Sequence, residues 1–181
     1  MDLHYQSPWF VEALEKEENL KINELNLNLN CDVCIIGGGY TGLWTAIKIK
    51  EKKPQLNIIL IEKDLCGSGA SGRNGGCMIP QSTKFQGIRD VVGIDDAKKM
   101  VLSTEAAVKN IKNFCSDNKI NAEIRDDGVL YGATNKFHQG SFEGLIKDLD
   151  EHKINSWKRL SREEVQDLTK SKKFIDGYFS P

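Results

Sequence analysis

Two apolar runs stand out against a mostly polar background, Val33 to Ile36 and Ile58 to Ile61, each four residues long. Short unbroken runs of β-branched residues suit strands buried on both faces, as parallel strands are. Between them Leu43, Ala46, Ile47 and Ile49 recur at helical spacing up to Lys52, and Pro54 follows just beyond. A helix over 43–52 between strands at 33–36 and 57–62 is a βαβ unit. Ahead of it, Pro8 opens a short helical pattern with Trp9, Phe10, Ala13 and Leu14 on one face. The aromatic pair Trp9-Phe10 is expected to dock this leader on the domain. Leu25, Leu27 and Leu29 alternate with asparagines, which predicts an extended, half-buried segment.

After the second strand the pattern stops. The stretch CGSGASGRNGGC over 66–77 holds five glycines, so it reads as a loop whose backbone lies close to something. Asp95 is placed to cap a long helix reaching about Asn118, with Ala97, Met100, Val101, Ala107, Val108, Ile111 and Phe114 as its apolar stripe. Runs at 122–125 and 129–133 flank Asp126-Asp127-Gly128, a hairpin signal. A helix is expected over 136–153. Ser161 and Glu164 form a capping box ahead of a helix to about Leu168. The reading is therefore α/β: a leader over 1–30, a Rossmann-like segment over 31–93, and an α+β segment over 94–181.

Charge narrows the function. Lys and Arg number 25 against 26 Asp and Glu, for a net charge of -1. No basic field exists for nucleic acid or an anionic membrane surface. No apolar run approaches the ~20 residues of a membrane span. The five cysteines are odd in number and irregularly spaced, and no signal peptide precedes them. That argues against a disulfide framework and for the reducing cytoplasm. Cys31 and Cys34, three apart at a strand, read as buried strand residues, and no metal site is expected.

The chemistry sits where the first strand meets its helix. Gly37, Gly39 and Gly42 satisfy G-x-G-x-x-G. The first allows a tight turn, the second lets a pyrophosphate approach the backbone, and the third lets helix pack on strand. The helix N-terminus then offers N–H groups and partial positive charge to phosphates. Glu62, 20 residues after Gly42, ends the second strand, where a carboxylate accepts bonds from ribose hydroxyls and repels a 2′-phosphate. NAD and FAD both satisfy this pattern. The later glycine run, with its backbone N–H groups, hydroxyl, amide and guanidinium, favours FAD.

From Cys31 to Met78, the segments CDVCIIGGGYTGLWTAIKI and NIILIEKDLCGSGASGRNGG resemble the D-amino-acid oxidase superfamily of FAD-dependent oxidoreductases. Within it, the likeness is to the gamma-glutamylputrescine oxidoreductase type of amine oxidase. The resemblance implies that Gly37, Gly39, Thr41 and Gly42 hold the pyrophosphate, and that Glu62 binds the adenosine ribose with Lys63 nearby. It implies that Ala70, Ser71, Arg73, Asn74, Gly75 and Gly76 run along the pyrophosphate towards the isoalloxazine. The implied reaction takes a hydride from the carbon beside an amine nitrogen to the flavin. The imine then hydrolyses to an aldehyde or keto acid, with oxygen or another acceptor reoxidising the flavin. The superfamily's chains are longer, so the expectation is an N-terminal fragment with an incomplete substrate domain, inactive alone. An NAD-dependent dehydrogenase and a non-catalytic nucleotide-binding fragment are the alternatives.

Overall fold

The computed structural model describes residues 7–17 and 24–181. The chain divides into two compact units, Met1–Cys77 and Met78–Pro181. Among the described residues no helix is long and apolar enough to cross a membrane.

In the first unit, helix α1 spans Pro8–Glu15, with Pro8 in its first turn and the Ser7 hydroxyl accepting the Phe10 N–H at 3.2 Å. Phe10 is buried against Gly67 and Gly72, while Trp9 points to solvent. Docking of this helix is therefore the work of Phe10, helped by a hydrogen bond from the Ser7 hydroxyl to the Gly72 carbonyl. Residues 24–30 form no strand, and Leu25, Leu27 and Leu29 are exposed. The expected half-buried segment fails because no neighbouring strand pairs with it and the alternating asparagines are poor strand formers. The rest of the leader, 1–6 and 18–23, lies outside the described residues.

Strands β1 (Val33–Ile36) and β2 (Ile58–Ile61) pair in parallel, Val33 opposite Ile58 through Ile36 opposite Ile61. Asp32 pins the register, its carboxylate accepting the Asn57 N–H at 2.7 Å. Helix α2 (Tyr40–Lys52) makes the crossover. The expectation of burial on both faces is corrected for β1. Its burial alternates, and Ile36 is 87% exposed, because α2 packs on the face that carries Ile35. Cys31 and Cys34 are exposed too, not buried, and all five cysteines are free thiols. The Rossmann-like expectation is met as far as this parallel pair and its helix.

The second unit is mixed α/β. A 3₁₀ turn at Gln81–Lys84 leads into α3 (Phe85–Val92), and α4 runs over Ile94–Asp117. The cap of α4 is Gly93, at φ +81°, with Asp95 and Asp96 in the first turn. Asp95 is thus a dipole partner and not the cap. Residues 78–93, grouped by sequence with the first segment, belong here because Phe85 is fully buried in this unit's core.

Strands β3 (Val129–Ala133), β4 (Lys158–Leu160) and β5 (Asp176–Ser180) form an antiparallel sheet in the order β3-β5-β4. The expected hairpin around Asp126-Asp127-Gly128 is absent. Residues 122–125 are not a strand, and β3 pairs instead with β5, Val129 opposite Ser180 through Ala133 opposite Asp176. The expected helix over 136–153 is reduced to α5 (Glu143–Glu151). Before it the chain turns: the Asn135 carbonyl oxygen of the side chain accepts the His138 N–H at 3.0 Å, and Gly140 sits at φ +73°.

Phe85, Ala97, Val101, Leu145, Leu149, Ile154, Trp157 and Tyr178 form the core. Each large apolar side chain fully buried there contributes about 1.5–3 kcal/mol. The Trp157 indole N–H donates to the Ser82 hydroxyl at 3.1 Å, so its polar end is satisfied.

Helix α6 (Arg162–Thr169) has the predicted capping box: the Ser161 hydroxyl accepts the Glu164 N–H at 3.2 Å, and Glu164 accepts the Ser161 N–H at 2.7 Å. Ser161→Ala should lower stability by about 1 kcal/mol, read from the urea midpoint. The Ser161 N–H also holds the Glu164 carboxyl below its ordinary value of 4.5. That contribution is present above the ordinary value and is lost as pH falls through the folded one.

Candidate functional site

The site lies in the first unit, where β1 turns into α2. Gly37 has φ +104°, and its N–H donates to the Ile61 carbonyl at 2.7 Å, ending the parallel ladder. The three motif glycines differ in their surroundings. A Cβ on Gly42 would stand 1.9 Å from the Gly37 carbonyl oxygen; on Gly39 it would stand 2.9 Å from Ser71 Oγ; on Gly37 it would meet nothing within 4 Å. Gly42 is thus the close helix–strand contact expected from the motif. Gly39 is the N-cap of α2 and supplies no side chain to the helix end.

That end is met from elsewhere. The Tyr40 N–H donates to Ser71 Oγ at 3.0 Å. Among the described residues no acceptor meets the N–H groups of Thr41 and Gly42. Two unpaired donors at the positive end of a 13-residue helix favour an anion.

Glu62 is fixed beside this turn. Its Oε2 accepts the Gly38 N–H at 2.6 Å and its Oε1 accepts the Asp64 N–H at 3.1 Å. These two donors, Gly38 first, hold the carboxyl below its ordinary value of 4.5. It is therefore ionised and oriented, and each oxygen keeps a lone pair for a further donor.

The glycine run folds back on the turn through few residues. Ala70–Gly72 form a 3₁₀ turn that carries Ser71 to the helix end. Asn74 donates to the Ser71 carbonyl at 2.7 Å, and its Oδ1 accepts the Gly76 N–H at 2.8 Å. Asn74 also reaches the Tyr40 hydroxyl at 3.4 Å. Lys63, Arg73 and Gly75 are exposed; the Lys63 N–H and charge both favour the ionised Glu62, and the Arg73 N–H donates to the Ala70 carbonyl at 3.2 Å.

Sequence reasoning passed over Gly38, Tyr40, Cys66 and Gly67. Gly38 is buried, gives its N–H to Glu62 and accepts the Gly67 N–H at 2.9 Å. A Cβ on it would stand 2.5 Å from Cys66 Sγ. The one signal for it is that the variable position between Gly37 and Gly39 in the motif is itself a glycine.

A family model described as FAD dependent oxidoreductase, DAO, matches residues 32–181. The chain belongs to the DAO family of FAD-dependent oxidoreductases. FAD is the cofactor that this membership assigns. The chain is similar to gamma-glutamylputrescine oxidoreductase of Escherichia coli K12, 29% identical over 78% of this chain and 31% of that protein. It is similar to the probable oxidoreductase OrdL of Rhizobium meliloti, 32% identical over 62% of this chain and 25% of that one. It also resembles the mitochondrial L-2-hydroxyglutarate dehydrogenase of Dictyostelium discoideum, 31% identical over 81% of this chain and 30% of that one. The chain thus spans no more than 31% of the length of these relatives.

The DAO-family site fits the adenosine-diphosphate half of FAD on its own geometry. It offers the unpaired Thr41 and Gly42 N–H groups, open space at Gly37, and a carboxylate already anchored at the strand end.

Proposed function

We propose that this chain supplies the adenosine-diphosphate end of the flavin site of an amine oxidoreductase. The observation that carries the reading is the Glu62 carboxylate, held on the Gly38 N–H beside the unpaired N–H groups of Thr41 and Gly42. In this reading Gly37, Gly39, Thr41 and Gly42 bind the pyrophosphate. Glu62 accepts the ribose hydroxyls, with Lys63 alongside. Ala70, Ser71, Arg73, Asn74, Gly75 and Gly76 follow the pyrophosphate towards the ring. Ser71 Oγ, now on the Tyr40 N–H, is placed to share that donor with a phosphate oxygen.

Bound flavin accepts a hydride equivalent from a carbon bearing nitrogen or oxygen. The chain's own contribution is to orient and to neutralise: helix-end donors for the diphosphate, a carboxylate for the ribose. The substrate is an amine, as the name of the Escherichia coli relative suggests, and the product imine hydrolyses to a carbonyl compound. The Dictyostelium relative supports a second reading, in which the substrate is a 2-hydroxy acid.

The two readings part in one experiment. The flavoprotein that contains this chain, reconstituted with FAD, should show the visible flavin bands, and a panel of primary and secondary amines should bleach them under anaerobic conditions. Bleaching by 2-hydroxy acids alone would establish the second reading. Absence of flavin bands after reconstitution would overturn both.

A further inference from the structure

In the second unit a cavity of about 380 Å³ opens beside the sheet. Three cationic side chains line it: Lys136 from the turn after β3, Arg159 from β4, and Arg162 at the start of α6. Gln139 and Ser161 add neutral donors, and Asp176 is the lining carboxylate.

Asp176 is already committed. It is 5% exposed, and its Oδ2 accepts the Gly140 N–H at 2.9 Å while its Oδ1 lies 3.5 Å from Arg159 Nε. Arg159 meets a second carboxylate, Glu143, at 2.9 Å. Three cations set against Asp176 and Glu143 leave one positive charge in excess. Lys136 and Arg162 meet no acceptor among the described residues.

A further donor lies next to these groups. Tyr178 is 4% exposed, with the Arg159 guanidinium 5.8 Å above its ring, and its hydroxyl has no partner among the described residues. Tyr178 borders a smaller cavity of about 190 Å³ that shares Asp176 as a wall. A hydroxyl buried without an acceptor is costly, whereas exposed cations held near one another repel only weakly and in a way that salt screens. An oxyanion in the larger cavity meets the excess charge of its lining.

We infer that this cavity binds a small-molecule oxyanion, a carboxylate or a phosphate, between Lys136 and Arg162 with Arg159 at its back. Arg159 cannot swing freely, because Asp176 and Glu143 hold it, so it sets the orientation of the anion. Lys136 and Arg162 are exposed and bring the charge.

The test titrates the 181-residue chain with succinate and, separately, with inorganic phosphate, followed by calorimetry. At least one should bind saturably, and binding should weaken as sodium chloride is raised. Which of them binds distinguishes a carboxylate from a phosphate ligand. The double variant Lys136→Gln, Arg162→Gln should bind roughly tenfold more weakly while its urea midpoint stays that of the parent. Lys109→Gln, on α4 and outside the cavity, should leave binding unchanged. Failure of both anions to bind, or equal affinity in parent and double variant, would overturn the inference. Flavin occupancy is not a readout, so the outcome is independent of the reading of the first unit.

Discussion

Gly42→Ala should cost the first unit about 3 kcal/mol or more, because the new Cβ would stand 1.9 Å from the Gly37 carbonyl oxygen. The atom in the way is backbone, at the turn that ends β1, and Ile35 lies just beyond it. Relief requires α2 to lift from the strand, which removes the packing that holds the βαβ unit together. A loss of that size is a large share of the ~5–15 kcal/mol that stabilises a whole domain. Two other alanines make the comparison specific. Gly37→Ala enters open space at φ +104°, so it carries backbone strain alone, about 1–3 kcal/mol. Gly39→Ala meets only the Ser71 hydroxyl, which can rotate, so the fold should survive while FAD is lost. Urea unfolding of the flavin-free protein, together with flavin content after reconstitution, sorts the three. Parental stability in Gly42→Ala would show that the helix stands further from the strand than described.

The contrast among these glycines shows what a sequence can carry. The βαβ unit was legible because its signals are local: two short apolar runs, a helical stripe between them and a glycine turn at the junction. The role of Gly42 followed from spacing alone. What Ser71 touches did not, since its partner, the Tyr40 N–H, is 31 residues away and set by how the glycine run folds back. Burial of β1 was misjudged for a related reason. An apolar run looks the same whether one face or both are covered, and here Ile36 is on the open face.

In the second unit the misreadings come from long-range pairing. Asp126-Asp127-Gly128 is a strong local turn signal, yet β3 takes its partner from Asp176–Ser180. β5 itself has no strand signature, since Asp176, Gly177 and Ser180 interrupt any alternation. Gly177 is required there because a Cβ would stand 2.9 Å from Val165 Cγ2 of α6. α3 was hidden by Gly87 within an eight-residue helix. By contrast, the capping box at Ser161 and Glu164 was read correctly, because both of its bonds lie within four residues.

Glu62→Ala should weaken FAD retention by roughly tenfold or more, the loss expected when a charge-assisted acceptor of the ribose hydroxyls is removed. The variant also strips the Gly38 and Asp64 N–H groups of their acceptor, so the turn that presents the helix end loses its anchor. Glu62→Gln separates charge from shape. Its amide oxygen can keep the bond from Gly38, but its amide nitrogen then faces the Asp64 N–H, donor against donor. Retention in this variant should fall between parent and alanine. The acid limb gives a second readout. Because Gly38 and Asp64 depress the Glu62 carboxyl, its contribution is fully present above the ordinary value of 4.5 and is lost as pH falls through the lower, folded value. Flavin release on acidification below that range should therefore be steep in the parent and flatter in Glu62→Gln, which has no proton to take up. Dialysis followed by visible absorption measures both effects. Full flavin occupancy in Glu62→Ala would remove the carboxylate from the ribose site and leave the helix N-terminus as the cofactor's principal anchor.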